Sequence, residues 1–255
     1  MNGHKHKQNR PISFSQDKRI LIYRVNAVRE SIRSHATKKV YFEMKHNNHP
    51  LIDECKSNGI PFEILPDEQF AALALHQAHQ GVIAFCDPIP TVSIEMLIDK
   101  ANHSEHPIIL ILDGIEDPHN MGAILRSVDA FGVDGVIVKN VGSVTFNSTV
   151  VNVSTGAVFY TPICVVSNLS NAIAKLKESG FWVAASDGSA TMSYQDLDYD
   201  RKLAFIVGSE GFGISRLLLK NSDYIVKIPM CGHVNSLNAS VATAILLSYA
   251  KSIRR

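Results

Sequence analysis

Apolar residues are spaced differently in the two parts of the chain, and each spacing predicts a different kind of sheet. In the first part, from about residue 19 to 89, Val25, Val28 and Ile32 recur at helical spacing, and short apolar runs alternate with polar residues. The elements predicted there are strands over 38–44, 61–65 and 81–85 and helices over 51–59 and 67–75. This pattern indicates a small α/β unit.

In the second part, from residue 106, the apolar runs are continuous, as in strands that are buried on both faces. The predicted strands are 108–112, 135–139, 182–186, 204–208 and 224–228, and the predicted helices are 121–131, 168–179 and 236–252. Strands that alternate with helices are typical of a parallel sheet covered on both sides. The expected fold class is therefore α/β, with a parallel-sheet domain preceded by the smaller unit.

Shifts in composition divide the chain into four predicted segments. Residues 1–18 are polar and lack apolar periodicity, which predicts a disordered basic tail. A small domain is expected over 19–89. The proline-bearing stretch that follows predicts a linker over 90–105, and the parallel-sheet domain is expected over 106–255.

Three segments that follow predicted parallel strands are dense in Gly, Asn, Ser and charged residues: 113–127, 208–215 and 229–240. Ligands of open parallel sheets bind outside the carboxyl ends of the strands, so we expect these segments to converge. The first segment holds Asn120, a good helix N-cap, and Arg126. Arg126 could grip a phosphate in bidentate fashion or form an ordinary surface ion pair, and spacing alone leaves both interpretations open.

The other two segments carry signals of unequal strength. The glycines of the second segment form G-x-x-G-x-G, which is not the dinucleotide fingerprint and could simply build a tight turn. The third segment has more polar groups at a helix start than capping requires, which favours a site; these are Asn235, Ser236, Asn238 and Ser240. The histidines are weak signals: His76 and His79, in a polar patch of the first part, lack the i, i+4 spacing of a zinc protease. His119 and His233 belong to the first and third segments, and no Ser/His/Asp set can be assigned.

Composition narrows the class of protein. The 255 residues are 45% hydrophobic and 19% charged, which is ordinary for a globular chain. The four cysteines lie far apart without a C-x-x-C pair, so we expect neither a zinc site nor a disulfide framework. No apolar run is long enough to span a bilayer, and the N-terminus lacks a secretory signal. These features predict a soluble cytoplasmic protein without a membrane partner or a metal.

The net charge of +1 conceals an asymmetry along the chain. Residues 1–50 carry 11 Lys/Arg against 3 Asp/Glu, whereas the remainder carries 14 against 21. A basic end on a mildly acidic protein predicts a polyanionic partner. A solvated, solubilising tail is the alternative interpretation.

The three polar segments, read with their flanking strands, resemble a known family. LDGIEDPHNMGAILRSVDAFG, FIVGSEGFGIS and VKIPMCGHVNSLNASVATAILL are similar, in order and spacing, to the signature motifs of the SpoU/TrmH RNA 2′-O-ribose methyltransferases of the SPOUT superfamily. The region from YRVNAVRESI to HQGVIAF resembles that family's RNA substrate-binding domain. The resemblance covers roughly residues 21–253, and the most similar branch acts on a guanosine of 23S ribosomal RNA.

The resemblance implies a trefoil knot in the parallel-sheet domain, S-adenosylmethionine as methyl donor, no metal, a structured RNA substrate and a homodimer. The residues that match the family's catalytic positions are Asn120, Arg126, Glu210, Ser236 and Asn238. Those that match its cofactor loops are Gly208, Ser209, Gly211, Ile228, Met230, Gly232, Ser236, Leu237 and Asn238. Minor departures, such as Ser127-Val128 where Thr-Ala is usual, remove no chemical group that the mechanism needs.

Two further expectations concern mechanism and assembly. A guanidinium is a poor base because its pKa lies above about 12, so we prefer an electrostatic role for Arg126 at the developing alkoxide. The predicted helix over 236–252 is apolar over most of its circumference, which predicts a dimer interface. The alternatives are a central helix buried in a monomer and, for function, a transfer-RNA methylase, a resistance-type ribosomal methylase or a non-catalytic RNA-binding or ribosome-assembly protein.

Overall fold

The computed structural model describes residues 19–75, 77–143, 145–233 and 236–253. The predicted tail over 1–18, together with His76 and Asn235, lies outside the described residues. The expectations for these positions therefore stay predictions.

The N-terminal unit is built on a four-stranded sheet of order β1-β4-β2-β3. Its elements are β1 (Ile20–Tyr23), α1 (Val25–Arg33), β2 (Thr37–Glu43), α2 (Leu51–Ser57), β3 (Phe62–Leu65), α3 (Asp67–Ala74) and β4 (Val82–Cys86). Strand β4 runs antiparallel to β1 and β2, and β3 is parallel to β2. The small α/β unit expected from the spacing is thus present.

The rest of the chain forms a seven-stranded sheet of order β7-β6-β5-β10-β8-β11-β9, whose pairings are all parallel. Its strands are β5 (Ile108–Asp113), β6 (Gly135–Lys139), β7 (Ile163–Val166), β8 (Trp182–Ser186), β9 (Met192–Ser193), β10 (Leu203–Gly208) and β11 (Tyr224–Lys227). Its helices are α4 (Ile94–Ala101), α5 (Pro118–Ala130), α6 (Ser148–Val153), α7 (Leu169–Glu178), α8 (Arg216–Asn221) and α9 (Ala239–Ser252). The predicted α/β class with a parallel sheet is confirmed, while the knot stays a prediction.

The two faces of the large sheet are buried against different helices. Along β5, Ile108, Leu110 and Leu112 join one apolar core, and Ile109 and Ile111 join the other. Successive side chains of a strand point to opposite faces, so a strand covered on both sides must be apolar at every position. This explains the continuous apolar runs of the sequence.

Residues 90–105 differ from the predicted linker, because they contain helix α4. The Ser93 side chain accepts a hydrogen bond from the backbone N–H of Met96 and caps this helix. Its apolar face, including Ile94, Leu97 and Ile98, packs into the core of the large sheet. The prolines at 88 and 90 precede the helix rather than interrupt it.

The two units share an apolar core and are also joined through Asn152 of α6. Its Oδ1 accepts a hydrogen bond from the backbone N–H of Tyr23 at 2.8 Å, and its Nδ2 donates to the carbonyl of Ser148 at 2.7 Å. Strand β1, at one edge of the small sheet, is thereby covered by the large domain. Among the residues described, no helix is both long and apolar enough to cross a membrane.

Candidate active site

The three polar segments converge at the carboxyl edge of the large sheet, as the sequence predicted. Strands β5 and β10 are neighbours, with Asp113 in register with Gly208, so the first two segments leave the sheet side by side. The Asp113 carboxylate accepts a hydrogen bond from the backbone N–H of Ser215 at 2.8 Å. This contact ties the end of β5 to the segment that follows β10.

The first segment begins helix α5 earlier than expected, and Asn120 is not its N-cap. Asp117 caps the helix, with its Oδ1 accepting a hydrogen bond from the backbone N–H of His119 at 2.9 Å. Pro118 occupies the first helical turn, where its missing N–H costs nothing. The Asn120 side chain is therefore released from capping and is available to the site.

A single amide joins all three segments. The Nδ2 of Asn238 donates to Oδ1 of Asn120 at 2.9 Å and, by a very short contact, to Oε1 of Glu210. The Oδ1 of Asn238 accepts from the backbone N–H of Ser240 at 2.9 Å and caps α9. Because capping fixes the amide oxygen, the amide nitrogen must face the other two segments.

The glycines of the second segment build a tight turn between β10 and α8. A Cβ on Gly208 would overlap the carbonyl group of Gly213, and Gly213 itself has a φ of +64°. The backbone N–H of Gly213 donates to the carbonyl of Ser209 at 2.9 Å and closes the turn. The interpretation that these glycines build a tight turn is therefore correct, and the same turn forms a wall of the site.

Two cavities lie on either side of this turn and share Ser209, Glu210 and Gly213 as lining residues. The smaller, of about 160 Å³, is lined by six of the predicted cofactor residues: Gly208, Ser209, Ile228, Met230, Ser236 and Leu237. The larger, of about 410 Å³, is lined by Asn120, Glu210 and the predicted cofactor residue Gly211. The predicted cofactor residues Gly232 and Asn238 line neither cavity.

Sequence reasoning missed the turn after β8. Ser186, Asp187 and Gly188 line the smaller cavity opposite the glycine turn. The available signal was the D-G-S triplet immediately after an apolar strand, at the same sheet edge as the other three segments.

Arg126 and Ser236 lie outside the hydrogen-bonded network. Arg126 is exposed on α5 and, within the described part of the chain, makes no hydrogen bond or ion pair. Ser236 lines the smaller cavity and, among the described residues, makes no hydrogen bond to Asn120 or Glu210. The structure of one chain thus brings together Asn120, Glu210 and Asn238 among the five residues matched to catalytic positions.

A groove of about 690 Å³ runs between α5 and α9. Its apolar lining includes Phe131, Val241, Ile245 and Tyr249, and Ser127 lines it beside Arg126. The opposite side of α9, with Leu246, Leu247 and Ala250, is buried within the chain. One side of this apolar helix is therefore covered by its own domain and the other side borders an open groove.

The charge excess of the N-terminal region is distributed unevenly. Residues 19–50 carry seven Lys/Arg against two Asp/Glu, but residues 51–92 carry one against six, so the unit as a whole is neutral. Several of the basic side chains are paired, including Arg29 with Glu54 at 2.8 Å and Lys39 with Glu63 at 2.7 Å. The remaining net positive charge of this end belongs to residues 1–18, with four Lys/Arg against one Asp.

Comparisons with known proteins cover both units. The family model described as SpoU rRNA Methylase matches residues 107–248, and that described as RNA 2′-O ribose methyltransferase substrate binding matches residues 21–92. A protein of Staphylococcus aureus (strain COL), named for the TrmH family of tRNA/rRNA methyltransferases, is 40% identical over 227 residues, which cover 87% of this chain and 91% of that protein.

Two solved structures extend the comparison. An AdoMet-bound rRNA methyltransferase from Sinorhizobium meliloti superposes with a TM-score of 0.77 at 21% identity, over 92% of this chain and 88% of that one. A TrmH/SpoU tRNA modifying enzyme from A. aeolicus superposes with a TM-score of 0.53 at 27% identity, over 63% of this chain and 82% of that one.

The fold and the site define an RNA-modifying methyltransferase with its own substrate-binding domain. The chain belongs to the SpoU/TrmH family of RNA 2′-O-ribose methyltransferases. The expected enzyme class, an S-adenosylmethionine-dependent RNA methyltransferase, is confirmed at this level. Among the described residues, no group of three His, Cys, Asp or Glu is arranged to hold a metal ion.

Proposed function

We propose that this enzyme methylates the ribose 2′-hydroxyl of a guanosine in 23S ribosomal RNA, acting as a cytoplasmic homodimer. The observation that carries the choice of ribosomal RNA is the extent of the structural match. The superposition on the rRNA methyltransferase covers both units, whereas that on the tRNA modifying enzyme covers 63% of the chain. The four free thiols support a reducing compartment.

The smaller cavity fits S-adenosylmethionine by its chemistry. Backbone atoms of Gly208 and the side chains of Ile228 and Leu237 offer a narrow, partly apolar slot for an adenosine. The carboxylates of Asp187 and Glu210 line the same cavity and would attract a positively charged sulfonium. When bound, S-adenosylmethionine supplies the methyl group of this reaction.

The larger cavity would receive the ribose. Glu210 and Asn120 line it and are held by Asn238, so an incoming hydroxyl meets groups whose positions are already fixed. Such preorganisation lowers the barrier of an in-line displacement by aligning the reacting atoms. The two cavities share Ser209, Glu210 and Gly213 as lining residues, so the two ligands would lie on either side of one turn.

Arg126 would complete the site through dimerisation. It lies next to Ser127, which lines the apolar groove between α5 and α9, and it has no partner within the described part of its own chain. A second copy that covers this groove would bury the free side of α9. Arg126 would then lie at the interface, where it binds the phosphate next to the target ribose and stabilises the developing alkoxide.

Ribose methylation of ribosomal RNA, mapped by mass spectrometry in cells with and without the gene, tests the substrate. One 2′-O-methylguanosine of 23S rRNA should disappear in the deletion strain and return with the wild-type gene. A methyl group lost from transfer RNA would instead support the alternative, a transfer-RNA ribose methyltransferase. The name of the S. aureus relative includes both tRNA and rRNA as substrates. Light scattering tests the assembly, and an active monomer of about 28 kDa would refute the dimer.

A further inference from the structure

Phe212 is the most exposed large apolar side chain among the described residues, with 97% of its surface accessible. It lies on the turn between β10 and α8, two residues after Glu210. The turn is closed by the hydrogen bond from Gly213 to Ser209 and by the close packing of Gly208 against Gly213. An exposed phenyl ring is therefore presented to solvent on a turn whose backbone is held by these two contacts, although an apolar ring gains free energy when it is buried.

The ring borders the larger cavity, and every charged residue that lines this cavity is acidic. Phe212 lines this space together with the carboxylates of Asp113, Glu116, Asp117 and Glu210. Such a lining repels the phosphates of an RNA backbone. A nucleobase is uncharged, has a flat apolar face and carries N–H groups that donate to carboxylates. The cavity thus suits the base of a nucleotide better than its phosphate.

We propose that Phe212 is the stacking platform for the base of the nucleotide that is methylated, holding that base out of its RNA stack while its ribose lies beside Asn120 and Glu210. This inference rests on the proposed methylation of RNA and adds to it the group that recognises the base. Aromatic side chains that stack on bases are common where proteins bind unpaired nucleotides.

Three substitutions at one position separate stacking from mere apolar contact. Phe212→Leu keeps an apolar side chain without a ring, Phe212→Trp keeps the ring, and Phe212→Ala removes both. Methyl transfer from labelled S-adenosylmethionine is measured with total RNA from cells that lack the gene. We expect kcat/KM to fall about ten-fold to a hundred-fold in the Ala and Leu variants, and to stay within about three-fold in the Trp variant, as for other base–aromatic contacts.

Three controls test whether a loss of activity reflects lost contact with the base rather than a change in cofactor binding, assembly or surface hydrophobicity. Calorimetry should give unchanged affinity for S-adenosylmethionine, and light scattering an unchanged oligomeric state, in all three variants. Met96→Ala, which removes another apolar side chain that is 62% exposed but lies on α4, should retain full activity.

Wild-type activity in the Ala or Leu variant would overturn the stacking role while leaving the proposed function intact. A change of oligomeric state that accounts for the lost activity would overturn it in favour of a subunit contact. If the wild-type enzyme labels no RNA, the proposed function and this inference both fail.

Discussion

The surface of the N-terminal unit and the carboxyl edge of the large sheet use polar residues in opposite ways. On the N-terminal unit, Arg29 pairs with Glu54 and Lys39 with Glu63, so each of these four charges has a partner of opposite sign. At the sheet edge, Asn238 directs one amide nitrogen at both Asn120 and Glu210. The described part of the chain provides no other partner for the Asn120 side chain or for the second carboxylate oxygen of Glu210.

This difference separates groups that stabilise the fold from groups that await a ligand. An exposed ion pair such as Lys39–Glu63 contributes about 0–1 kcal/mol, because water and salt screen it. Polar groups that hold one another in place while keeping unused donors and acceptors are instead suited to bind a substrate. The comparison therefore predicts that the sheet edge governs catalysis and that the paired charges do not.

The largest effect is expected for Arg126→Ala. Loss of an unpaired cation that stabilises the developing alkoxide should lower kcat by about a hundred-fold to a thousand-fold. Affinity for S-adenosylmethionine, measured by calorimetric titration, should stay within about two-fold, because Arg126 does not line the smaller cavity. Arg29→Ala, which removes a paired arginine, is the matched control and should leave kcat nearly unchanged. A folded Arg126 variant that loses cofactor affinity would contradict this assignment.

The second effect compares two helix caps. Asn238 caps α9 and Asn168 caps α7, each accepting hydrogen bonds from two backbone N–H groups. Replacing either with alanine should lower the free energy of unfolding by about 1 kcal/mol. Only Asn238→Ala should also lower methyl transfer, by about ten-fold or more, because it releases Asn120 and Glu210. Equal activity in the two variants, measured alongside urea unfolding, would reduce Asn238 to a structural cap.

The fold was predictable wherever burial was complete. The central strands β5 and β10 are apolar at nearly every position because both of their faces are covered, and their ranges were predicted within one residue. Helix α6, Ser148–Val153, has three valines and lacks a helical signal of its own. The Asn147 cap and the burial of Val150 and Val151 stabilise it, so tertiary contacts override local preference.

The site was predictable in outline, because parallel strands deliver their following segments to one edge. The sequence led to Asn120, Glu210 and Asn238, but it suggested that Asn120 caps the helix that Asp117 in fact caps. Spacing along α5 does not reveal the partner of Arg126. That partner depends on what covers the groove between α5 and α9, which Ser127 lines. The charge of residues 1–50 indicated a polyanionic partner, in agreement with the RNA substrate-binding domain. It did not locate the charge excess, because residues 51–92 neutralise residues 19–50 within the same unit.

A third prediction follows from that distribution of charge. Deleting residues 1–18 removes four Lys/Arg, whereas residues 19–92 carry no net charge. If all four contact RNA phosphates, the slope of log K against log salt should become shallower by about 3 to 4, at about 0.7 to 0.9 per phosphate contact. Removing residues 1–89 instead would uncover the core shared with the large domain, so the shorter deletion is the sharper test. An unchanged slope would assign the electrostatic binding of RNA to other surfaces.

The smallest expected effect is a change in cysteine labelling, which compares buried thiols of the core with Cys231 beside the smaller cavity. Burial raises the pKa of the Cys55 and Cys164 thiols to about 11 and that of Cys86 to about 12. A raised pKa lowers the thiolate fraction, so at pH 8 about one in a thousand of these thiols or fewer is reactive.

Cys231 is exposed and follows Met230, which lines the smaller cavity. Iodoacetamide should therefore modify one thiol per native chain, and Cys231→Ser should abolish this labelling. Saturating S-adenosylmethionine should slow the modification of Cys231 several-fold, because a ligand in that cavity restricts the loop; an unchanged rate would place the cofactor away from Met230.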